Sequence, residues 1–396
     1  MKQIATLNKI SPVGLKLLPE DYAITENLKE AMGVIVRSAN MQDMKLPSGL
    51  LAIARAGAGY NNIPVERCAE KGIIVFNTPG ANANAVKELV IGAMLLGARN
   101  ILDASRWTEK LEGEDDVLKT YEKGKGKFAG SEIKGKTLGV IGLGAIGVEV
   151  ANTAKDLGMS VIGYDPYISL HAAHELSSKI PVTKDLGVVL RRSDYITIHV
   201  PVNDATKSMI DGNCFAQMKR GCTFLNFARN TLVDEDALLE ALDKGPLKCY
   251  ITDFATDKVL GHDKVIALPH LGASTKEAEE NCAIMAVEQM TDYLENGNIT
   301  NSVNYPDCNM GALNPAASAR ICIFNENKPS MITQIAACFS DLGINIRDMT
   351  NKSKGKYAYT MIDVDSKFSE KKIRELKKID GIIAVRAIRK PKEQQR

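Results

Sequence analysis

The stretch "TLGVIGLGAIG", Thr137–Gly147, decides the fold. An apolar run ends in Gly142, Gly144 and Gly147, spaced G-x-G-x-x-G, and "VEVANTAKDLG" follows with helical periodicity. Each glycine has its own task in such a strand–turn–helix. Gly142 permits the tight turn, Gly144 lets a pyrophosphate approach the backbone, and Gly147 lets helix and strand pack. The helix N-terminus, with Ala145 and Ile146, then faces negative charge. A second strand, "SVIGYDPY", ends at Asp165, 18 residues past Gly147. An acid there accepts from a ribose 2′-hydroxyl and repels a 2′-phosphate. The stretch predicts a Rossmann-type, doubly wound parallel sheet that takes NAD rather than NADP.

Outward from it, "YITIHVPV", "CTFLNFAR", "CYITDF" and "VIALPHLG" read as further strands of the same α/β run. Upstream, "GVIVRSA", "LLAIARAGAG" and "GIIVFNTPG" read as buried strands, with a helix over "PVERCAEKG" closed by Gly72. They predict a second α/β domain with a parallel sheet. Asn82–Ile101 predicts a long buried helix capped at Asn82 or Asn84. "WTEKLEGEDDVLKTYEKGKGKFAGSEI", polar and charged, reads as a solvated connection. Another long helix ends at Gly297. The last residues predict a ferredoxin-like βαββαβ unit. The expected domains are residues 1–98 and 284–312, together a discontinuous flavodoxin-like domain; residues 99–283, the dinucleotide domain; and residues 313–396, the βαββαβ unit. The two long helices would form the hinge.

The net charge of +2 in 396 residues offers no global field for nucleic acid or an acidic membrane. No apolar run approaches membrane-spanning length. Eight cysteines scattered through apolar runs, without a C-x-x-C pair, point to reduced, buried thiols in a cytoplasmic protein and to no metal site.

Two strand ends carry candidate chemistry. Arg229, in "LNFARNTLVDEDAL", lies where an open α/β sheet binds ligands. Its guanidinium either holds a carboxylate through two parallel hydrogen bonds or pairs on the surface with Asp234 or Glu235. His270, in "LPHLGAST", is either a general acid/base or a satisfied turn histidine. Together, on a dinucleotide domain, they favour chemistry.

With these motifs in hand, the chain resembles the D-isomer-specific 2-hydroxyacid dehydrogenases. The likeness rests on "VIVRSAN", "ARAGAGYNNI", "VFNTPGANANAVKELV", "LGVIGLGAIG", "FARNTLVDEDAL" and "PHLGAST", spread over most of the sequence. Within the family it is most similar to members that oxidise a phosphorylated 2-hydroxy acid with NAD. The tail, "NENKPSMITQIAACFSDLGINI" with "YAYTMIDVD", resembles an ACT-type regulatory domain.

The resemblance implies roles. Arg229 binds the substrate carboxylate and His270 exchanges the C2 hydroxyl proton. Asp253 sits by the nicotinamide carboxamide, and Pro201, Ala228, Gly272 and Ala273 complete the cofactor set. Arg37, Ser38, Arg55 and Gly57 line the substrate pocket. Lys123, Lys125 and Lys127 read as a solvated run rather than a phosphate site. The family places a glutamate five residues after the aspartate matched by Asp253, as the histidine's partner, but Lys258 occupies that position. Asp257 is the expected stand-in. An ACT-type turn that binds serine is matched at Asn327 and Asn345, but not at Asn325 and Ser330. The implied partners are a small phosphorylated 2-hydroxy acid, an L-serine effector and further copies of the chain, as a homodimer or homotetramer. The rival expectations are a glyoxylate or hydroxypyruvate reductase and a non-catalytic NAD-sensing regulator.

Overall fold

In the computed structural model, which describes residues 1–366 and 369–389, the chain forms two compact units. One comprises Met1–Ala81 with Glu279–Arg396, the other Asn82–Ala278.

The Asn82–Ala278 unit holds a seven-stranded parallel sheet. In spatial order its strands are Val265–Ala267, Leu247–Thr252, Cys222–Asn226, Tyr195–Ile198, Thr137–Ile141, Ser160–Tyr164 and Val182–Thr183. The order reverses between Thr137–Ile141 and Tyr195–Ile198, which is the switch point where such sheets bind ligands. Six strands coincide with the six apolar runs read from the sequence. The seventh, Val182–Thr183, is a two-residue edge strand, too short to show a pattern. Cys222–Asn226 is buried at every position, as expected where helices cover both faces of a parallel sheet.

The helix Ala83–Arg99 belongs to this unit, so the boundary falls at residue 81 rather than 98. Its buried face explains why. Val86, Val90, Ala93 and Met94 join the core of Leu138, Val140 and Ile251. Gly97 packs on the Ile251 side chain, where an added Cβ would come within 2.8 Å. Asn82 occupies the N-cap without a side-chain hydrogen bond, while Asn84 lies inside the helix and donates to Glu88. The following stretch is not merely a solvated connection. It forms helices Ile101–Glu109 and Val117–Gly124, because Trp107 packs against Tyr121 and Phe128 with ring centroids 6.2 and 5.3 Å apart. The charge-rich composition hid this aromatic cluster.

The other unit contains two sheets. The first is parallel, ordered Tyr22–Thr25, Lys2–Leu7, Gly33–Val36, Ala52–Arg55, Ile74–Phe76. The first two strands had no clear apolar run and escaped the sequence reading. The second sheet is antiparallel, ordered Ile346–Lys354, Tyr357–Val364, Ala319–Glu326, Ile382–Arg389. With helices Met331–Asp341 and Glu370–Leu376 it runs strand, helix, strand, strand, helix, strand along the chain.

The helix Lys276–Asn296 ties the two sheets together. Cys282, Ala286, Met290 and Tyr293 share one core with Phe76 and with Cys322, Phe324 and Tyr359 of the second sheet. Burying each large side chain of this kind contributes about 1.5–3 kcal/mol. The last carbonyls of a helix lack partners within it, and the second sheet supplies them. Arg386 donates to the carbonyls of Tyr293 (3.0 Å) and Leu294, Arg320 to that of Asn296 (2.9 Å), and the Tyr359 hydroxyl to that of Gly297 (2.7 Å). The βαββαβ element therefore forms one compact unit with the first sheet instead of standing apart.

Candidate active site

The glycine turn has the geometry its sequence predicts. Gly142 has φ +92°, and a Cβ there would lie 2.6 Å from the His199 carbonyl oxygen. Gly147 approaches the Gly142 carbonyl so closely that a Cβ would sit 1.9 Å from it. Gly144 faces open space, with no heavy atom within 4 Å of where a Cβ would be. Ala145 begins the helix Ala145–Asp156, whose N-terminal amides adjoin that opening. Asp165 follows the second strand and braces the turn: one carboxylate oxygen accepts from the Leu143 amide (2.9 Å), the other from the Tyr167 amide (2.8 Å). Each oxygen keeps a further lone pair. Pro201 lies just past the Tyr195–Ile198 strand, its carbonyl accepting from the Thr206 hydroxyl at 2.6 Å.

The carboxyl ends of three strands carry the charged groups. Asn226 ends the Cys222–Asn226 strand and is fully buried. Its side chain accepts from the Ala228 amide (3.1 Å) and donates to the Arg229 carbonyl (2.9 Å), folding the turn that launches Arg229. The guanidinium lies over the Phe254 ring, 4.9 Å from its centroid, and donates to the Ala228 carbonyl at 2.6 Å. Asp234 and Glu235 are engaged elsewhere, capping the next helix and accepting from Thr256. Among the described residues, Arg229 forms no ion pair with Asp234 or Glu235. Burial pulls its pKa down, and the nearby Asp253 charge opposes this.

His270 packs on the same ring, with centroids 4.4 Å apart, and its amide donates to the Asp253 carbonyl at 3.0 Å. Phe254 is thus a platform shared by Arg229 and His270. Sequence reasoning missed it, although an aromatic residue directly after the candidate acid was the available signal.

Asp253 is buried. One carboxylate oxygen accepts from the Gly272 amide at 2.9 Å; the other is buried without a hydrogen-bond partner among the described residues. Desolvation raises its pKa, opposed by the Gly272 hydrogen bond and by the charges of His270 and Arg229. Ala273 follows in the same turn.

Asp257, the expected partner of His270, is exposed in the following loop, and Lys258 is exposed beside it with its ammonium 2.5 Å from Asp236. Asp253, at the end of the Leu247–Thr252 strand, is a carboxylate that feels the His270 charge. His199 was also missed. It closes the Tyr195–Ile198 strand, shares a hydrogen bond of 2.9 Å with Thr197, and its Nδ1 is buried without a partner among the described residues. Desolvation pushes its pKa down to about 3, so the ring beside the glycine turn is neutral.

In the other unit, Arg37 and Arg55 lie at the carboxyl ends of adjacent strands. Arg55 Nε donates to the Arg37 carbonyl at 3.1 Å. Gly57, at φ +143°, is where the Arg55 guanidinium rests; a Cβ there would lie 1.4 Å from its Nη1. Asn8 accepts from the amides of Ser38 (3.0 Å) and Ala39 (2.6 Å), pinning that loop. Arg37 is paired with Glu279 at 2.7 Å. In the C-terminal sheet, Asn327 donates to the Gly355 carbonyl at 3.0 Å and Asn345 to Asp365 at 2.8 Å. Ser330, where the ACT-type pattern has glycine, is held at φ +66°.

Residues 91–272 match the family model described as D-isomer specific 2-hydroxyacid dehydrogenase, NAD binding domain. The chain is 38% identical over 304 residues to a D-3-phosphoglycerate dehydrogenase of Methanocaldococcus jannaschii, covering 74% of this chain and 56% of that protein. It is 30% identical over 390 residues to the D-3-phosphoglycerate dehydrogenase of Escherichia coli K12, covering 93% of this chain and 90% of that one. The chain spans about half the length of several other curated relatives, 53% for the human protein. Among solved structures, NAD+-bound 3-phosphoglycerate dehydrogenase of Entamoeba histolytica superposes with a TM-score of 0.61 at 29% identity, covering 76% of this chain and 98% of that one.

Proposed function

Because this chain belongs to the D-isomer-specific 2-hydroxyacid dehydrogenase family, we propose that it oxidises D-3-phosphoglycerate to 3-phosphohydroxypyruvate with NAD. The observation that carries the reading is the convergence of Arg229 and His270 on the Phe254 ring, with Asp253 beside them. The dinucleotide fits the residues present. Gly144 leaves its cradle open, the Asp165 carboxylate flanks it, and two buried polar atoms, Asp253 Oδ1 and His199 Nδ1, lack partners among the described residues. Buried polar atoms are mostly paired with protein groups or ordered water, and a bound dinucleotide would supply partners here. Gly142, Gly144, Ala145, Ile146 and Gly147 would hold the pyrophosphate, Asp165 the ribose, and Pro201, Ala228, Asp253, Gly272 and Ala273 the nicotinamide end. Bound NAD supplies the acceptor for the hydride.

The chain's own residues do the rest. Arg229 pairs with the substrate carboxylate and polarises the C2 oxygen. As the C2–H bond breaks and its electron pair departs, His270 takes the C2 hydroxyl proton and the C2–O bond becomes a carbonyl. Asp253 offsets the imidazolium charge, a role assigned here to Asp253 rather than Asp257. Arg37 and Arg55, with Ser38 and Gly57, would receive the phosphate. The C-terminal βαββαβ element reads as an ACT-type regulatory element, supported by its strand–helix order. Its serine response would run through Asn327 and Asn345, and a serine titration of activity tests it. The central test is formation of NADH by the purified full chain with D-3-phosphoglycerate and NAD. A chain that binds NAD and yields no NADH with this acid would end the proposal.

A further inference from the structure

We infer that Glu279 is a specificity-determining residue that acts through Arg37, holding back the substrate site's attraction for a doubly charged phosphate. This rests on the substrate reading above. Glu279 is the fourth residue of the helix Lys276–Asn296, and its Oε1 lies 2.7 Å from Arg37 Nη1. Both side chains are partly open, at 37% and 42% exposure, so the pair can form and part. Arg55 is tied to the same place, because its Nε donates to the Arg37 carbonyl. The buried Cys282 thiol feels the charges of Arg55, Arg37 and Glu279 together, which marks them as one cluster. Two guanidinium groups at adjacent strand ends make an anion site, and the Glu279 carboxylate occupies one of them.

A phosphate dianion arriving there must compete with Glu279 for the Arg37 guanidinium, whereas a substrate without phosphate does not. Glu279 therefore sets the balance between phosphorylated and unphosphorylated acids. A plain alternative is that Glu279 only favours the helix N-terminus, where an acid is stabilising. That role would shift melting, not substrate choice.

The experiment uses the reduction direction, with NADH and either 3-phosphohydroxypyruvate or hydroxypyruvate, which differ only by the phosphoryl group. In Glu279→Gln, which keeps an acceptor for Arg37 but removes the charge, the kcat/KM ratio of the first substrate to the second rises roughly two- to fivefold. The rise comes mainly from a lower KM, and it shrinks at high salt. In an Arg37→Gln background the same change has no effect on the ratio. A ratio that stays or falls in Glu279→Gln, or that rises equally without Arg37, overturns the inference. If the unaltered chain reduces neither substrate, the proposed function fails instead. Should Glu279→Gln fold poorly, Glu279→Asp serves: a shorter acid withdrawn from Arg37 must raise the ratio in the same direction.

Discussion

Two glycines separated by a single residue, Gly142 and Gly144, are expected to fail in opposite ways. In Gly142→Ala the new Cβ enters at φ +92°, 2.6 Å from the His199 carbonyl oxygen and 2.8 Å from Val200 Cγ1. The left-handed backbone costs about 1–2 kcal/mol for an L-residue, and forcing a methyl against fixed backbone a further ~1–3 kcal/mol. The sum is roughly 2–5 kcal/mol. For a unit the size of Asn82–Ala278 that lowers the melting temperature by roughly 5–20 °C. Gly144→Ala places its methyl in open space at φ −78°, so stability stays within ~0.5 kcal/mol of the parent. The same methyl stands where a pyrophosphate must approach the backbone amides. Losing one charge-assisted hydrogen bond there costs about 1.5–3 kcal/mol, or roughly 10- to 150-fold in NAD affinity. The assay is convenient, because the single tryptophan, Trp107, lies in this unit against Tyr121 and Phe128 and reports its melting. Titration calorimetry gives NAD affinity. Parent-like melting of Gly142→Ala, or a large loss of stability in Gly144→Ala, would refute the reasoning.

Three further outcomes follow from the geometry. Asp253 has a raised pKa, so the folded chain holds its proton more tightly than the unfolded chain. Its contribution to stability is present below the ordinary carboxylate value and is lost as pH rises through the raised one. Asp253→Asn should therefore melt no lower than the parent at neutral pH while losing roughly tenfold or more in turnover; calorimetry at two pH values beside steady-state kinetics checks both. Asp257→Asn and Lys258→Ala, at exposed positions away from the Phe254 platform, should change kcat/KM less than about twofold, and a larger loss in a turnover assay would restore Asp257 as the partner of His270. Arg320→Ala strands the fully buried Asp363 carboxylate, 2.7 Å from Arg320 Nε, and should cost about 3–5 kcal/mol by chemical denaturation.

What could be read from the sequence was whatever a short stretch decides by itself. Gly142, Gly144, Gly147 and Asp165 lie in one strand–turn–helix–strand, and their tasks follow from local backbone geometry. Six strands of the dinucleotide sheet were legible because burial on both faces leaves continuous apolar runs. "KQIATL" and "YAIT" form strands through their neighbours rather than their own pattern, and so went unread. Trp107, Tyr121 and Phe128 were hidden among charges. Arg229 and His270 were singled out from their strand ends, yet the Phe254 ring on which both rest was not. That Asp253 is buried and Asp257 exposed depends on where the loop after Thr252 turns outward. The pairing of Arg37 with Glu279 joins residues far apart in the sequence, where no local pattern reaches.

The order of synthesis adds a constraint. The edge strand Ile74–Phe76 is completed by Asn304, which accepts from the Val75 amide at 2.9 Å and donates to the Ile73 carbonyl at 2.8 Å. On the ribosome, the Val75 amide must wait for a partner 229 residues further on to emerge. Meanwhile residues 82–278 hold everything needed for their own sheet and can fold first. The nascent N-terminal strands stay open-edged and adhesive for that interval, so chaperone protection would be needed there first.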